Sequence, residues 1–430
     1  MAEKPAKGLR CIDCSEVYAI SPANYSECCF SPLLPSYFPR NGEVLKDRIR
    51  NGPRNLFRYE PLLPISIAPS YNVGLTNLVL ADELAQFLHM QNGKLYIKVD
   101  EGSVTGTFKD RGAAVVAQLV VEFNKNGYDF KLLGGTSTGN LASAIPAAAQ
   151  LINLKSVVLV HEGADKELVQ KALSFGAYVI VVKGDYSKVD GIMKHLSNTD
   201  DRLSSQIAWV NINLRPLYSQ GSQTVGFEIA EQLGWKAPDN IVHPVAAGLS
   251  LWQIYQGLKE FKEFGLIKEL NTKMHAAQTL ACDPVVQAWN RGEPFKIIPV
   301  ESKKSIAETL CVGDPSNGYQ VLEVLKESRG SAISATEDEI MEGMNLVAQT
   351  TDFKTGPVGG VVVASVKKLV ARGVIKPDEQ TVLVLTDGYS GDKTYRGPFS
   401  EEDSMYRRIS IEPDRNIIKA TLEDILDGKI

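Results

Sequence analysis

The sequence predicts an α/β protein built on a mostly parallel sheet, and three observations carry that prediction. Short β-branched and aliphatic runs alternate with helical patterns along most of the 430-residue chain, as the crossover connections of a parallel sheet require. Several of those runs end in glycine- or hydroxyl-bearing segments that lead straight into the next helix. The composition, 44% hydrophobic and 23% charged with 35 Gly and 21 Pro, is that of a globular protein able to build its core without disulfide staples.

Residues 1–50 read as a small turn-rich appendage. Pro22, Pro32, Pro35 and Pro39 oppose long helices there, and Cys11, Cys14, Cys28 and Cys29 fall within it. Apolar residues at Leu78, Leu80, Ala81, Leu84, Phe87 and Leu88 give 75–90 a helical spacing. A strand at 95–99 turns through Gly102 toward Thr107-Phe108-Lys109-Asp110-Arg111-Gly112 and a helical run ending near Phe123. Further strands are expected at 130–133, 156–160, 177–182, 208–211, 241–245, 274–278 and 382–385. Helices are expected from Asn140 to about 152, then at 224–233, 251–264, 305–310, 319–329, 336–349 and 359–372. Pro146 should kink the first of these unless it sits in the opening turn.

Charge and hydropathy argue against several functions. With 46 basic and 51 acidic residues the net charge is −5, and no basic stripe offers a general attraction for nucleic acid. The longest apolar runs, such as 361–364, fall far short of a membrane span. The N-terminus carries no apolar secretory stretch, so a cytoplasmic chain is expected and the sequon at Asn24 is expected to stay unmodified. Cys282 and Cys311 read as small buried apolar residues.

Three strand-to-helix loops stand out: 136–140, 245–250 and 385–391. The first, Thr136-Ser137-Thr138-Gly139-Asn140, offers three hydroxyls, open backbone N–H groups and an amide at a helix start, a combination suited to an anion. None has the Walker A or Gly-x-Gly-x-x-Gly pattern. Any one of them is as readily a tight turn; three in one chain favour a mononucleotide-sized cofactor with a single phosphate. Lys109 opens a helix, where the dipole and an apolar setting would favour a neutral amine able to attack a carbonyl. Spacing alone favours a solvated surface lysine paired with Asp110 over that reading.

Taken together these segments resemble the fold-type-II enzymes that use pyridoxal 5′-phosphate (PLP), and within them the threonine synthase-like family. The lysine motif Ser103-Val104-Thr105-Gly106-Thr107-Phe108-Lys109-Asp110-Arg111-Gly112, the segment Ser137-Thr138-Gly139-Asn140-Leu141-Ala142, and Asn213-Leu214-Arg215-Pro216-Leu217-Tyr218 with the residues after it carry the likeness, as do 310–319, 359–361, Phe57-Arg58-Tyr59 and Leu62-Leu63-Pro64. The resemblance implies a tryptophan synthase beta-like fold with two open, mostly parallel sheets and the site between domains. Residues 51–100 and 206–430 would form the large PLP-binding domain and 101–205 a smaller mobile one. Lys109 would bind PLP covalently and shuttle protons, with Phe108 packed beside the ring. Asn140 would hydrogen-bond the ring oxygen, and Ala246, Ala247, Gly248, Leu249 and Ser250 would cradle the phosphate. Thr386 would face the pyridine nitrogen. Ser137, Thr138 and Arg215 would grasp the phosphate and carboxylate of a small phosphorylated amino acid. The implied activity is threonine synthesis from O-phosphohomoserine and water. The alternatives are a cysteate synthase-like replacement on O-phosphoserine by sulfite, or a homologue that binds without catalysis. A homodimer follows from the same resemblance, with neither nucleic acid nor membrane as partner.

Several positions depart from the family pattern. Ser103-Val104 replace Asn-Pro, Gln223 stands where a lysine is usual, 351–360 differ throughout, and Asp387 follows Thr386. Gln223 removes a positive charge from a region expected to handle anions, and Asp387 could alter the environment of the pyridine nitrogen. The N-terminal cysteines resemble a zinc ribbon. Vicinal Cys28 and Cys29 are not expected to reach one tetrahedral ion together, so the appendage is read as a degraded ribbon without metal.

Overall fold

The computed structural model describes residues 6–23, 25–37, 41–100, 104–137, 139–164, 166–184, 186–386, 397–400 and 407–430. Ser103, Thr138, Asn24 and the segment 387–391 lie outside the described residues.

Three sheets organise the described residues. The first is small and antiparallel, with β1 (Ala6–Cys11) between β2 (Val17–Tyr18) and β3 (Leu33–Tyr37). The second has six strands, here named with their ranges: β4 (Leu78–Leu80), β5 (Leu95–Val99), β10 (Asn240–Pro244), β11 (Lys273–Thr279), β12 (Ser331–Ala335) and β13 (Thr381–Leu385). Their order is β12-β11-β10-β13-β5-β4, parallel except for β4. The third runs β14-β8-β7-β6-β9 and is parallel throughout. Its strands are β6 (Leu132–Thr136), β7 (Lys155–His161), β8 (Tyr178–Val182), β9 (Ile207–Trp209) and β14 (Arg408–Ile411). Strands β8, β10 and β13 are buried along their whole length, as strands covered by helices on both faces must be.

The division between the two large sheets differs from the sequence expectation. Strands β9 and β14 lie within 206–430, yet both pair into the smaller parallel sheet. Other elements differ locally. The helix expected over 75–90 is the edge strand β4 followed by one short helix, Asp82–Phe87, because Leu78 and Leu80 pair with β5. The helix expected over 305–310 is only a single turn at Glu308–Leu310. Pro146 does not end its helix, which runs through it from Leu141 to Leu151.

Two helices form the floor of the site. One, Lys109–Lys125, and another, Arg215–Gln232, are buried over most of their length and pack on each other. They approach through Gly112 and Gly221: a Cβ at Gly221 would lie 2.3 Å from the Gly112 nitrogen, so this crossing excludes any larger residue.

Beneath that crossing is a buried ionic network. Arg111 donates to Asp100 (Nε–Oδ1 2.7 Å) and to Glu228 (Nη2–Oε2 2.9 Å), while Lys98 reaches the same Glu228 oxygen at 2.7 Å. Thr76 and Thr224 add hydroxyl partners to Arg111. Burial alone would raise the Glu228 acid, but Arg111 and Lys98 hold it down at about 2. Strand β5 and the two floor helices are thereby locked to one another directly behind Lys109.

Candidate active site

The sheet order explains where the site lies. Strands β5, β13 and β10 are neighbours, so the loops leaving their carboxyl ends open side by side. They are the segment leading to Lys109, the segment beginning at Thr386, and 245–250. The connection from β10 leads outward to β11, whereas β13 lies on its other flank. Such a reversal opens a crevice at the strand ends. In the other large sheet the reversal falls between β6, whose successors are β7 and β8, and β9. The loop leaving β6 there contains Ser137, Gly139 and Asn140.

Lys109 is the first residue of its helix and is partly buried. Its amine lies 4.3 Å from the centroid of the Phe108 ring and makes no hydrogen bond or ion pair among the described residues. Desolvation, with a smaller contribution from the Arg215 charge, lowers its pKa to about 8. The alternative of a solvated pair with Asp110 does not hold. Asp110 is buried and accepts instead from the Thr105 backbone N–H (2.7 Å) and hydroxyl (2.6 Å), fixing the turn that presents Lys109. A poorly solvated amine without an acceptor is suited to a covalent partner such as an aldehyde.

The loop after β10 has the form of a phosphate cradle. Gly248 adopts φ +91°, and a Cβ there would lie 2.7 Å from Val321 and 2.9 Å from the Asn317 carbonyl. Glycine is therefore required to turn the backbone into the helix Leu249–Glu263. The first N–H groups of that helix have no intrahelical acceptors and are free for an anion. Ala246, Ala247 and Leu249 are half-buried, and Ser250 is buried with its hydroxyl 3.1 Å from His243 Nε2.

His243, within the strand expected over 241–245, is a site neighbour that the sequence does not single out. Burial, reinforced by the Lys109 charge, holds it neutral with a pKa of about 4. Asn140 heads its helix with no side-chain cap hydrogen bond and no other partner for its amide among the described residues. Thr386 is buried, and its hydroxyl likewise bonds to no described residue. Ser137 spends its hydroxyl locally, accepting from the Gly139 N–H (3.1 Å) and donating to the Gly139 carbonyl (3.2 Å). An amine, an amide and a hydroxyl that no described residue engages, each on a strand-to-helix segment, together with the glycine-turned loop after β10, fit the chemistry of PLP.

Arg215 heads the second floor helix. Its Nη2 donates to the Ser316 hydroxyl at 2.8 Å and to the Asn317 side-chain carbonyl, but no carboxylate pairs with it among the described residues. It lines a cavity of about 240 Å³ with Ser219, Leu249, Trp252, Ser316 and Asn317, closed on one side by Tyr25, Pro32 and Leu33 of the N-terminal unit. Lys109, Asn140 and Thr386 are not part of that lining. Gln223, expected to deplete the anion region of charge, instead packs between helices and donates to Glu260. The N-terminal unit also departs from expectation: the sulfurs of Cys11, Cys14, Cys28 and Cys29 all lie within 4.8 Å of one another.

Comparison with known proteins agrees with this geometry. The family model described as "Pyridoxal-phosphate dependent enzyme" matches residues 69–387. A threonine synthase from Methanocaldococcus jannaschii is 30% identical over 97% of this chain and 99% of its own length. Another, from Methanosarcina acetivorans, is 30% identical over 89% of this chain and 91% of its own. Among solved structures, serine racemase from Dictyostelium discoideum superposes with a TM-score of 0.58 at 23% identity, covering 74% of this chain and 94% of that one. Maize serine racemase gives 0.59 at 18%, covering 86% and 98%. These two likenesses are of fold alone. No helix among the described residues is long and apolar enough to cross a membrane. Sequence, sheet order and the unengaged Lys109 amine converge, and the chain belongs to the pyridoxal-phosphate dependent enzymes of fold type II, related to the threonine synthases.

Proposed function

We propose that this enzyme is a threonine synthase, converting O-phosphohomoserine and water into threonine and phosphate. The observation that carries the reading is the end-to-end likeness to the two threonine synthases, supported by an Arg215 guanidinium left without a carboxylate in the cavity. Bound PLP supplies the electron sink that makes a proton at Cα of the amino acid acidic.

The chain's own residues do the rest. Lys109, with its pKa lowered to about 8, holds PLP and, once released, takes the Cα proton on Nζ. The backbone N–H groups of Ala246, Ala247, Gly248 and Leu249, with the Ser250 hydroxyl, hold the cofactor phosphate. Asn140 orients the ring through its oxygen, Phe108 borders it, and Thr386 faces its nitrogen with a hydroxyl that imposes no negative charge. Arg215 and Ser137 receive the anionic groups of the substrate, Ser137 by shaping its loop; Thr138 joins them by its place in the motif. In the same reading residues 101–205 form a unit that closes over the site, and the enzyme is a cytoplasmic homodimer.

The second reading is a cysteate synthase-like replacement. The departures at Ser103-Val104 and 351–360 favour it, since they leave the cofactor residues intact. The test is phosphate release from the PLP-loaded enzyme with O-phosphohomoserine, and separately with O-phosphoserine with and without sulfite. Release from the first substrate with formation of threonine is expected; release only from O-phosphoserine overturns the proposal in favour of the second reading.

A further inference from the structure

Outside the catalytic region, the most concentrated set of metal-ligating side chains is the N-terminal quartet of thiols. Cys11 ends β1 and is buried; Cys14 follows in the adjoining turn and is exposed. Cys28 and Cys29 occupy a second turn, also exposed, between Tyr25 and Pro32, which bridge to one another. Each turn is closed by its own backbone: Ser15 N–H donates to the Cys11 carbonyl (3.1 Å), and Ser26 N–H to the Ser31 carbonyl (2.9 Å). The two turns face each other, so that the four sulfurs lie within 4.8 Å of one another and Cys14 and Cys28 approach to 3.0 Å.

That spacing decides between two chemistries. A disulfide needs about 2.05 Å, and none joins these residues. Four thiolates at about 2.3 Å from one ion would stand about 3.8 Å apart, a separation that falls between the 3.0 Å of Cys14 and Cys28 and the 4.8 Å within which all four sulfurs lie. The vicinal arrangement of Cys28 and Cys29 therefore does not prevent both from reaching a shared centre. Leu9, Cys11 and Leu33 anchor the unit in the main core, whereas around the second cysteine turn Tyr25 and Phe30 face solvent at 53% and 82% exposure, so apolar burial does not fix that turn.

We infer that Cys11, Cys14, Cys28 and Cys29 form a structural site for one thiophilic divalent cation of the zinc class, and that this site fixes one wall of the Arg215 cavity. Four sulfur–metal bonds form as the thiol protons pass to water, with no change of oxidation state. The wall follows from connectivity: Tyr25, Pro32 and Leu33 flank the second cysteine turn and line the cavity together with Trp252 and Arg215. The inference does not depend on which substrate the enzyme uses.

The test uses the full chain. Elemental analysis of purified protein should find one zinc per chain, and Co2+ added to chelator-treated protein should give thiolate-to-metal charge-transfer bands. One equivalent of Zn2+ should protect four thiols from a thiol reagent in the wild-type chain, a measurement that requires no variant to fold. C29S should weaken Zn2+ binding by at least about tenfold, while C282S should not. Chelation should shift Trp252 emission, and W252F should remove that shift. Absence of metal together with absence of cobalt bands, a Cys14–Cys28 disulfide in peptide mass analysis, or unchanged affinity in C29S would overturn the site. An unchanged Trp252 signal on chelation would overturn its role in the cavity wall.

Discussion

His243 Nε2 and the Ser250 hydroxyl meet at 3.1 Å, tying the end of β10 to the first turn of the helix that follows it. Both groups are buried, and the histidine is held neutral by desolvation and by the Lys109 charge. One chain segment thus supplies both the proposed phosphate cradle and the residue that orients its only hydroxyl side chain. Replacing His243 with Leu should raise the PLP concentration for half-saturation by about two- to tenfold, the range expected for one net hydrogen bond. Fluorescence titration of PLP-free protein checks it; an unchanged midpoint would show that Ser250 is positioned without the histidine.

Lys109 should determine both where and at what pH PLP attaches. K109A should abolish covalent capture of PLP on borohydride reduction, read by peptide mass. For a lysine the reactive form is the deprotonated one. With a pKa of about 8, its neutral fraction climbs from about 10% at pH 7 to about 90% at pH 9, and the initial capture rate should rise with it. A capture rate that rises only above pH 10 would mean that desolvation does not tune this amine.

The Lys109 cation also feels Arg215, so one substitution should show in two independent measurements. R215Q removes a neighbouring positive charge, and the inflection of the capture profile should move to higher pH. The same variant should raise KM for the phosphorylated substrate by about 10- to 100-fold, as loss of a charge-assisted hydrogen bond implies, with a smaller change in kcat. A fall in kcat at constant KM would place Arg215 outside substrate binding.

Much of the proposed site was legible because its chemistry is local in sequence. Lys109, Asn140 and Gly248 each sit at a strand-to-helix junction, and periodicity locates such junctions. What escaped depends on partners distant in the chain. Strand β12, Ser331–Ala335, consists of Ser, Ala and Ile and acquires its identity only by pairing with β11. Strand β14 alternates Arg408 and Ser410 with isoleucines, and joins β8 from more than 200 residues away. His243 escaped notice because nothing in the sequence shows that the turn after β10 folds the Ser250 hydroxyl back onto its ring. The convergence of Cys28 and Cys29 on Cys11 and Cys14 likewise depends on two turns facing each other, which spacing does not report.

The network behind Lys109 gives the clearest stability prediction. Lys98 and Arg111 balance Asp100 and Glu228, all four buried. E228Q would leave an uncompensated buried cation and should cost about 3–5 kcal/mol in urea unfolding. R111M/E228M removes one charge of each sign and leaves Lys98 with Asp100. It should therefore cost less than the sum of R111M and E228M alone, a coupling that a double-mutant cycle measures directly. The acid dependence follows from the same pair. Glu228 is depressed from 4.5 to about 2, so below pH 4.5 the unfolded chain binds this proton and the folded chain does not. The stabilisation is complete above that pH and is lost as pH falls toward 2. E228Q should therefore lose less stability than wild type between pH 5 and pH 3. Equal losses in the two proteins would show that Arg111 and Lys98 do not hold this carboxylate in its charged form.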